Sequence, residues 1–208
     1  MGCAYGRDRA SEEEAAIQAA EDALGVTRLL TEDAIKKVKA SSPTSYLSTA
    51  EFTRLVRNLD LPNLTPKQNE LFKQFQRPDG YSKQMILLLV VLQTQGAAET
   101  KAKLLFTAYS QSGQLLRSSA YTMVSDMVQI AVCRTTILVE MTEDLKAYLK
   151  KLNEKASKAS FNMLDLIMGK KAEVSEEQFL EAFQAPDTAR LLTCKGIRNF
   201  ISGKSSEK

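Results

Sequence analysis

Carboxylates beside turns and helix starts are the residues of this chain with the clearest capacity for chemistry. Glu51, Asp79 and Glu173 lie in or next to short polar segments, and Glu176 and Glu177 follow closely. Side-chain oxygens in such places bind a hard divalent cation such as calcium when several of them converge. Acidic residues are equally typical of helix N-termini, where they offset the helix dipole and accept from unpaired N–H groups. Ion binding and helix capping are therefore the two roles open to them.

The residue types that most enzyme active sites require are largely missing from this chain. The chain contains no histidine, which excludes Ser-His-Asp triads, histidine–metal sites and imidazole acid–base catalysis. Neither glycine-rich phosphate-binding motif, G-x-x-x-x-G-K-[ST] or G-x-G-x-x-G, occurs in the sequence. Cys3, Cys133 and Cys194 form no disulfide or zinc pattern, and Cys133 and Cys194 fall at apolar helical positions without a base. The sequence predicts buried thiols in a reducing cytosol, and no enzyme.

Composition and charge indicate an ordinary folded protein. The 208 residues are 44% hydrophobic with a net charge of +3, too small for a nucleic-acid-binding surface without clustered basic residues. The first residues are small, polar and acidic, which predicts that there is no secretory signal peptide. The longest apolar run, residues 85–92, is far shorter than the roughly 20 residues of a membrane span and predicts a buried helix.

Helical patterns cover almost the whole chain, so the predicted fold is all-α. Ser11 and Glu14 form a capping box before a helix that Gly25 closes, and its alanine-rich face with Ile17 and Leu24 predicts a peripheral position. Further helices are predicted after caps at Thr31, Ser48 (with Glu51), Thr65 (with Gln68), Ser82, Ser118 or Ser119, Thr142 and Ser175 (with Gln178), and near residues 99–109. A separate helix is predicted over 161–168.

An apolar residue followed by a cap recurs along the chain. Leu47-Ser48, Tyr81-Ser82 and Val174-Ser175 each precede a helix, and Leu115 begins a weaker copy. The apolar residues are 34, 34 and 59 residues apart, and the Lys-rich helix after Thr142 fills the widest interval. Regular spacing of this kind indicates repeated helix–loop–helix units.

These repeats resemble the EF-hand superfamily, and most closely its neuronal calcium sensor and recoverin-like branch, over roughly residues 28–201. In that family the apolar loop residue pairs with its counterpart in a partner loop, the next residue caps the exiting helix, and a bidentate Glu stands at position 12. The resemblance implies four degenerate EF-hand-like units paired into two lobes, with an extra N-terminal helix. It divides the chain into an N-terminal signal and helix (1–27), two lobes (28–96 and 97–201) and a tail (202–208).

The loop residues do not supply calcium ligands. In the first copy, positions 1, 3 and 5 are Ala40, Ser42 and Thr44, and the one carboxylate, Glu51, is explained as the capping partner of Ser48. Position 12 is Met85 in the second copy and Gln178 in the fourth, where Lys170 and Lys171 occupy the preceding loop. The third copy, SQSGQLLRSSA, has no acid. The sequence predicts no physiological calcium binding and no cofactor.

The N-terminus MGCAYGR resembles that of acylated signalling proteins. The resemblance implies myristate on Gly2 and palmitate on Cys3, and two chains make a stable anchor where one is marginal. Arg7 and Arg9 would add a weak attraction to the anionic inner leaflet of a membrane. The alternative is an unstructured end, because the usual Ser or Thr at the sixth residue is Gly6.

The predicted function is that of a calcium-independent, membrane-tethered adaptor that holds a partner's amphipathic helix in an apolar groove. Residues predicted to line the groove are Phe52, Leu55, Val56, Leu88, Val91, Leu92, Met123 and Met127, with core packing as the alternative for each. The lysines of the Lys-rich helix predict a solvated face. A constitutive subunit of a cytoskeletal or ciliary assembly is the alternative function, and a detached EF-hand-like regulatory lobe is a third. The predicted location is cytoplasmic, at a membrane or in such an assembly.

Overall fold

The computed structural model describes residues 11–61 and 63–203, and this part of the chain is mostly helical, as predicted. The α-helices are α1 (Glu12–Ala23), α2 (Thr31–Ala40), α3 (Thr49–Asn58), α4 (Pro66–Lys73), α5 (Lys83–Gln93), α6 (Ala98–Tyr109), α7 (Arg117–Val128), α8 (Glu143–Met168), α9 (Glu176–Ala182), α10 (Pro186–Ala189) and α11 (Cys194–Ser202). Short strands are β1 (Tyr46–Leu47), β2 (Gln76–Arg77), β3 (Gly80–Ser82), β4 (Gln114–Leu116) and β5 (Glu173–Ser175). The segments Val26–Arg28, Thr135–Leu138 and Arg190–Leu192 are 3-10 helical, and Gln129–Arg134 is π-helical.

Local side-chain chemistry sets most helix starts as predicted. Complete capping boxes open α3, α4 and α9, formed by Ser48 with Glu51, Thr65 with Gln68, and Ser175 with Gln178. Ser82 and Thr142 cap α5 and α8 through their hydroxyl oxygens. Each cap satisfies a backbone N–H that the first helical turn leaves unpaired.

Two predicted helix starts are wrong because tertiary hydrogen bonds replace the side-chain cap. Helix α7 begins at Arg117, before the predicted Ser118 or Ser119, and the Arg117 N–H donates to the Ala172 carbonyl at 2.8 Å. Thr31 is the first residue inside α2, and its hydroxyl bonds the Thr94 hydroxyl and donates to the Gln95 carbonyl.

Helix α8 also differs from the prediction. The Lys-rich segment and residues 161–168 form one helix of 26 residues, where two were predicted. No glycine or proline lies between Thr142 and Gly169, so nothing interrupts the backbone hydrogen bonds until Gly169, at φ +57°, ends the helix. Its five lysines, Lys146, Lys150, Lys151, Lys155 and Lys158, are all exposed.

The recurring apolar residues meet in pairs. Leu47 of β1 pairs with Tyr81 of β3, and Leu115 of β4 pairs with Val174 of β5, each in an antiparallel register. All four side chains are buried. Strand β3 also pairs with β2, which makes the first sheet three-stranded. The paired loops therefore join α2–α3 to α4–α5, and α6–α7 to α8–α9.

The core is continuous across residue 96, where the sequence suggested a boundary between two lobes. Helix α5 is buried nearly all round and packs against α2, α6 and α7. Helix α1, predicted to be peripheral, is firmly docked, because Ile17 and Leu24 are 0% and 2% exposed. One hydrophobic cluster thus includes residues from both ends of the described chain.

Candidate functional site: loops closed by side-chain cations, and the adjacent cleft

Lys83 closes the loop between α2 and α3. It is the first residue of α5, and its backbone N–H donates to the Ser45 carbonyl at 3.0 Å. Its ammonium donates to the Lys39 carbonyl at 3.0 Å and to the Ser42 carbonyl. These oxygens lie at the C-terminal end of α2, where the helix dipole favours a cation. A side-chain ammonium from α5 is therefore bound by the loop between α2 and α3, the first loop.

Hydroxyl groups occupy the rest of the first loop. The Ser42 and Thr44 hydroxyls lie 3.0 Å apart, and Thr44 donates to the Tyr46 carbonyl at 2.6 Å. The Glu51 carboxylate accepts from the Ser48 N–H and hydroxyl, both at 2.8 Å. Hydrogen bonds from Ser48 and then from Ser42 lower the pKa of Glu51. The one carboxylate of this loop is therefore used as a cap, as the sequence predicted.

Arg117 binds the loop between α8 and α9 in the same way as Lys83 binds the loop between α2 and α3. It is the first residue of α7, and its guanidinium donates through Nη1 to the Gly169 carbonyl at 2.7 Å and to the Lys171 carbonyl at 3.5 Å. Nη2 forms an ion pair with Asp165. Lys83 and Arg117 both come two residues after the paired apolar residue of their strand. The arrangement is thus repeated in the two halves of the chain.

The fourth loop, between α8 and α9, contains Lys170 and Lys171. The sequence suggested that these lysines occupy the place of metal ligands, but their side chains do not fill the loop. Both residues are exposed, and Lys171 contributes its backbone carbonyl as an acceptor. The cation that enters this loop comes from Arg117, 52 residues before Gly169. Within residues 11–61 and 63–203, no group of three or more Asp, Glu, Cys or His residues is placed to hold a metal ion.

A cleft lies beside Lys83. It has a volume of about 390 Å³ and lies between α2, the first loop, α5 and α6. Its apolar lining includes Ile35, Leu87, Leu88, Val91, Leu104 and Ala108, and its lysines are Lys39 and Lys83.

The eight residues predicted to line one groove are all buried, with 0–7% of their surface exposed. Leu88 and Val91 line the cleft beside Lys83, while Phe52 and Val56 border a second depression near Asn69. Leu55, Leu92, Met123 and Met127 line neither of these. Phe52 stacks on Tyr81 with ring centroids 4.1 Å apart. The fold of the described residues therefore packs all eight side chains in its core. Gly2 and Cys3 lie outside the described residues.

The structure contains a buried ion cluster that the sequence analysis did not predict. Arg198 of α11 is 0% exposed and contacts Glu14 and Glu21 of α1, which are 2% and 1% exposed. Its Nη1 lies 2.7 Å from Glu21, its Nη2 lies 2.8 Å from Glu14, and the Ala131 carbonyl accepts from Nη1 at 2.9 Å. Tyr148 donates to Glu14 at 3.0 Å. Ser11 caps α1, but the Glu14 side chain binds Arg198 and Tyr148, so the predicted capping box is only half formed.

Spacing gave a signal for this cluster. Glu14, Ile17 and Glu21 share one face of α1, and Arg198 shares a buried face of α11 with Cys194 and Ile201. Burial alone would lower the pKa of Arg198, but the hydrogen bonds and charges of Glu21 and Glu14 outweigh burial and raise it. The cluster holds the two ends of the described chain together.

Lys101 is a second buried cation, and a backbone carbonyl accepts a hydrogen bond from it. It is 3% exposed, and its ammonium donates to the Leu192 carbonyl at 3.2 Å. Nearby, the Gln93 amide contacts the Cys194 sulfur at 3.2 Å. Burial raises the pKa of Cys194, which is the buried thiol the sequence predicted. Cys133, which lies in the π-helical segment, is exposed instead, and its sulfur contacts the Asn153 side-chain oxygen at 3.4 Å.

Burial lowers the pKa of Lys101 from 10.5 to about 8, which predicts a pH dependence of stability. Between these values the unfolded chain binds more protons than the folded chain, so the free energy of unfolding should rise with pH from about 8 to about 10.5. We expect Lys101→Met to remove this rise. Urea unfolding at several pH values measures the free energy of unfolding of wild type and variant. Subtracting one from the other removes the contribution of the other titrating groups, which both proteins share. Parallel pH profiles for the two proteins would contradict it.

Comparison with known proteins yields no relative: no family model, no curated protein and no solved structure matches this chain. Of the helices described, none combines the length and apolar character needed to cross a membrane.

Proposed function

We propose that this protein is a non-catalytic, calcium-independent adaptor built from four degenerate EF-hand-like units in two paired sets. The observation that carries the proposal is the placement of Lys83 and Arg117, whose cationic groups bind the carbonyl oxygens of the first and fourth loops. The strand pairs Leu47–Tyr81 and Leu115–Val174 support the EF-hand-like reading, because such loops meet through apolar residues. The conformation of both pairs is then fixed without an ion.

A covalently attached cation differs from a bound ion in its consequence for regulation. A calcium sensor changes the angle between its helices when the ion binds. Here the charge that bridges the loop is part of the chain, so the helix arrangement does not depend on calcium concentration. The protein would accordingly bind its partner constitutively.

Replacing Lys83 tests this proposal. We expect Lys83→Met to lower the free energy of unfolding by about 2 kcal/mol, since two charge-assisted hydrogen bonds to carbonyls at the end of α2 and in the loop are lost. Lys36→Met, on the exposed side of α2, should change it by less than about 0.5 kcal/mol. Urea unfolding of both variants, with calcium and with a chelator, measures the effects.

Two results would contradict the proposal. One is equal stability of the Lys83 and Lys36 variants, which would mean that the ammonium contributes nothing to the loop. The other is stabilisation of the wild-type protein by micromolar calcium, measured as a calcium-dependent unfolding midpoint or as binding heat in a calorimetric titration.

A constitutive subunit of a cytoskeletal or ciliary assembly is the second candidate. The burial of all eight predicted groove residues favours it, because a closed core presents no ready groove for a partner helix. Acylation of Gly2 and Cys3 separates the two: labelling with a myristate analogue, compared with Gly2→Ala, should mark the membrane-tethered adaptor. A chain that carries no label and stays out of the membrane fraction would favour the assembly subunit.

A further inference from the structure

The cleft beside Lys83 combines apolar walls with uncompensated positive charge. Leu87, Leu88 and Val91 of α5 form one side, and Leu104 and Ala108 of α6 form another. Its volume of about 390 Å³ lies within the usual range for small-molecule sites. Tyr109 also lines the cleft, but its hydroxyl already donates to Asp126 at 3.0 Å. The walls therefore favour an apolar ligand body.

Two lysines stand at the polar edge of this cleft, and the described residues that line it include no Asp or Glu. An ammonium has three N–H donors, and Lys83 uses two of them on the Lys39 and Ser42 carbonyls. One donor of a firmly positioned cation thus remains. The Lys39 side chain is exposed and makes no ion pair within the described ranges. The polar edge is suited to a single anionic head group.

We propose that the cleft binds an anionic amphiphile, a molecule with a carboxylate head and an aliphatic body of the fatty-acid type. The carboxylate accepts from Lys83 and Lys39, and the aliphatic chain lies along Leu87, Leu104 and Ala108, which are partly exposed. A docked helix needs a groove with several anchor positions. A cleft of about 390 Å³ suits one compact ligand better than a row of side chains. This site goes beyond the proposed adaptor function and does not depend on it.

Titration of the full chain with decanoate tests the proposal, with decyltrimethylammonium as a probe of equal length and opposite charge. Amide chemical shifts of Val91, Leu104 and Ala108 should move saturably with decanoate, below its micelle concentration, and much less with the cationic probe. Lys39→Gln should weaken decanoate binding about fivefold, as expected for one exposed ion pair. Lys158→Gln, an exposed lysine on α8, should leave it unchanged.

A second variant fills the cleft without changing its charge. Ala108→Phe should abolish decanoate binding, and Ala50→Phe on the exposed face of α3 should not. Circular dichroism checks that both variants are folded, and Lys39→Gln gives an independent result if Ala108→Phe is not. Equal affinity for both probes, no saturable shift at the cleft, or binding of a synthetic acidic amphipathic peptide without binding of decanoate would each overturn the proposal.

Discussion

Replacing Arg198 by methionine should lower the free energy of unfolding by about 3–5 kcal/mol, because it leaves two buried carboxylates without their cation. Glu14 and Glu21 are almost fully buried, and Arg198 contributes five of their hydrogen bonds. After the change, Glu14 keeps its hydrogen bond from Tyr148 while Glu21 loses both of its contacts to Arg198. Each carboxylate must then take up a proton, or α1 must move away from the core so that the carboxylate reaches water. Urea unfolding at neutral pH measures the loss.

Lys195→Met is the matched control, since Lys195 lies on the exposed face of the same helix and should change stability by less than about 0.5 kcal/mol. A triple variant, Glu14→Leu, Glu21→Leu and Arg198→Met, should recover most of the loss, because an apolar replacement of a whole buried ion cluster is often neutral. If the triple variant were as unstable as Arg198→Met alone, the cost would come from lost packing and the electrostatic explanation would fail.

Gly80→Ala should lower the free energy of unfolding by about 3 kcal/mol, since it combines backbone strain with a collision. Gly80 lies at φ +125°, a conformation that residues with a Cβ rarely adopt. An added Cβ would stand 2.4 Å from the Leu47 carbonyl oxygen, inside the pairing of β1 with β3. The two strands would have to separate. Thermal or urea unfolding measures the cost.

Gly113→Ala is the comparison that separates strain from collision. Gly113 lies at φ +78° in the tight turn before β4, and a Cβ there would meet nothing within 4 Å. We expect it to cost about 1 kcal/mol, the strain of a left-handed alanine. Equal costs for the two variants would show that the contact between Gly80 and Leu47 does not limit stability.

Helix starts could be predicted because their chemistry is local. The Ser48–Glu51, Thr65–Gln68 and Ser175–Gln178 boxes join residues three positions apart, so the sequence contains both partners of each bond. Predictions failed where a distant group took over the cap. Arg117 opens α7 by bonding the Ala172 carbonyl, and no window around Arg117 contains that partner.

The burial of the predicted groove residues could not be read from the sequence for a related reason. Periodicity marks Met123 and Met127 as one apolar face of a helix, but it does not say whether a neighbouring helix covers that face. In the folded chain both are 0% exposed. Leu88 and Val91 border the cleft because α5 packs between α2 and α6, which is a property of the assembled helices.

The sequence by itself determined a helical chain, most of its caps and the recurring apolar residues, because each of these depends on residue types at short spacing. Only the tertiary structure decided which carbonyls and carboxylates the cationic side chains contact. Lys83 lies 44 residues from Lys39, Arg117 lies 52 from Gly169, and Arg198 lies 184 from Glu14. Chain folding must bring such groups together before their charges interact, since Coulomb attraction in water is weak until the groups are close and partly desolvated.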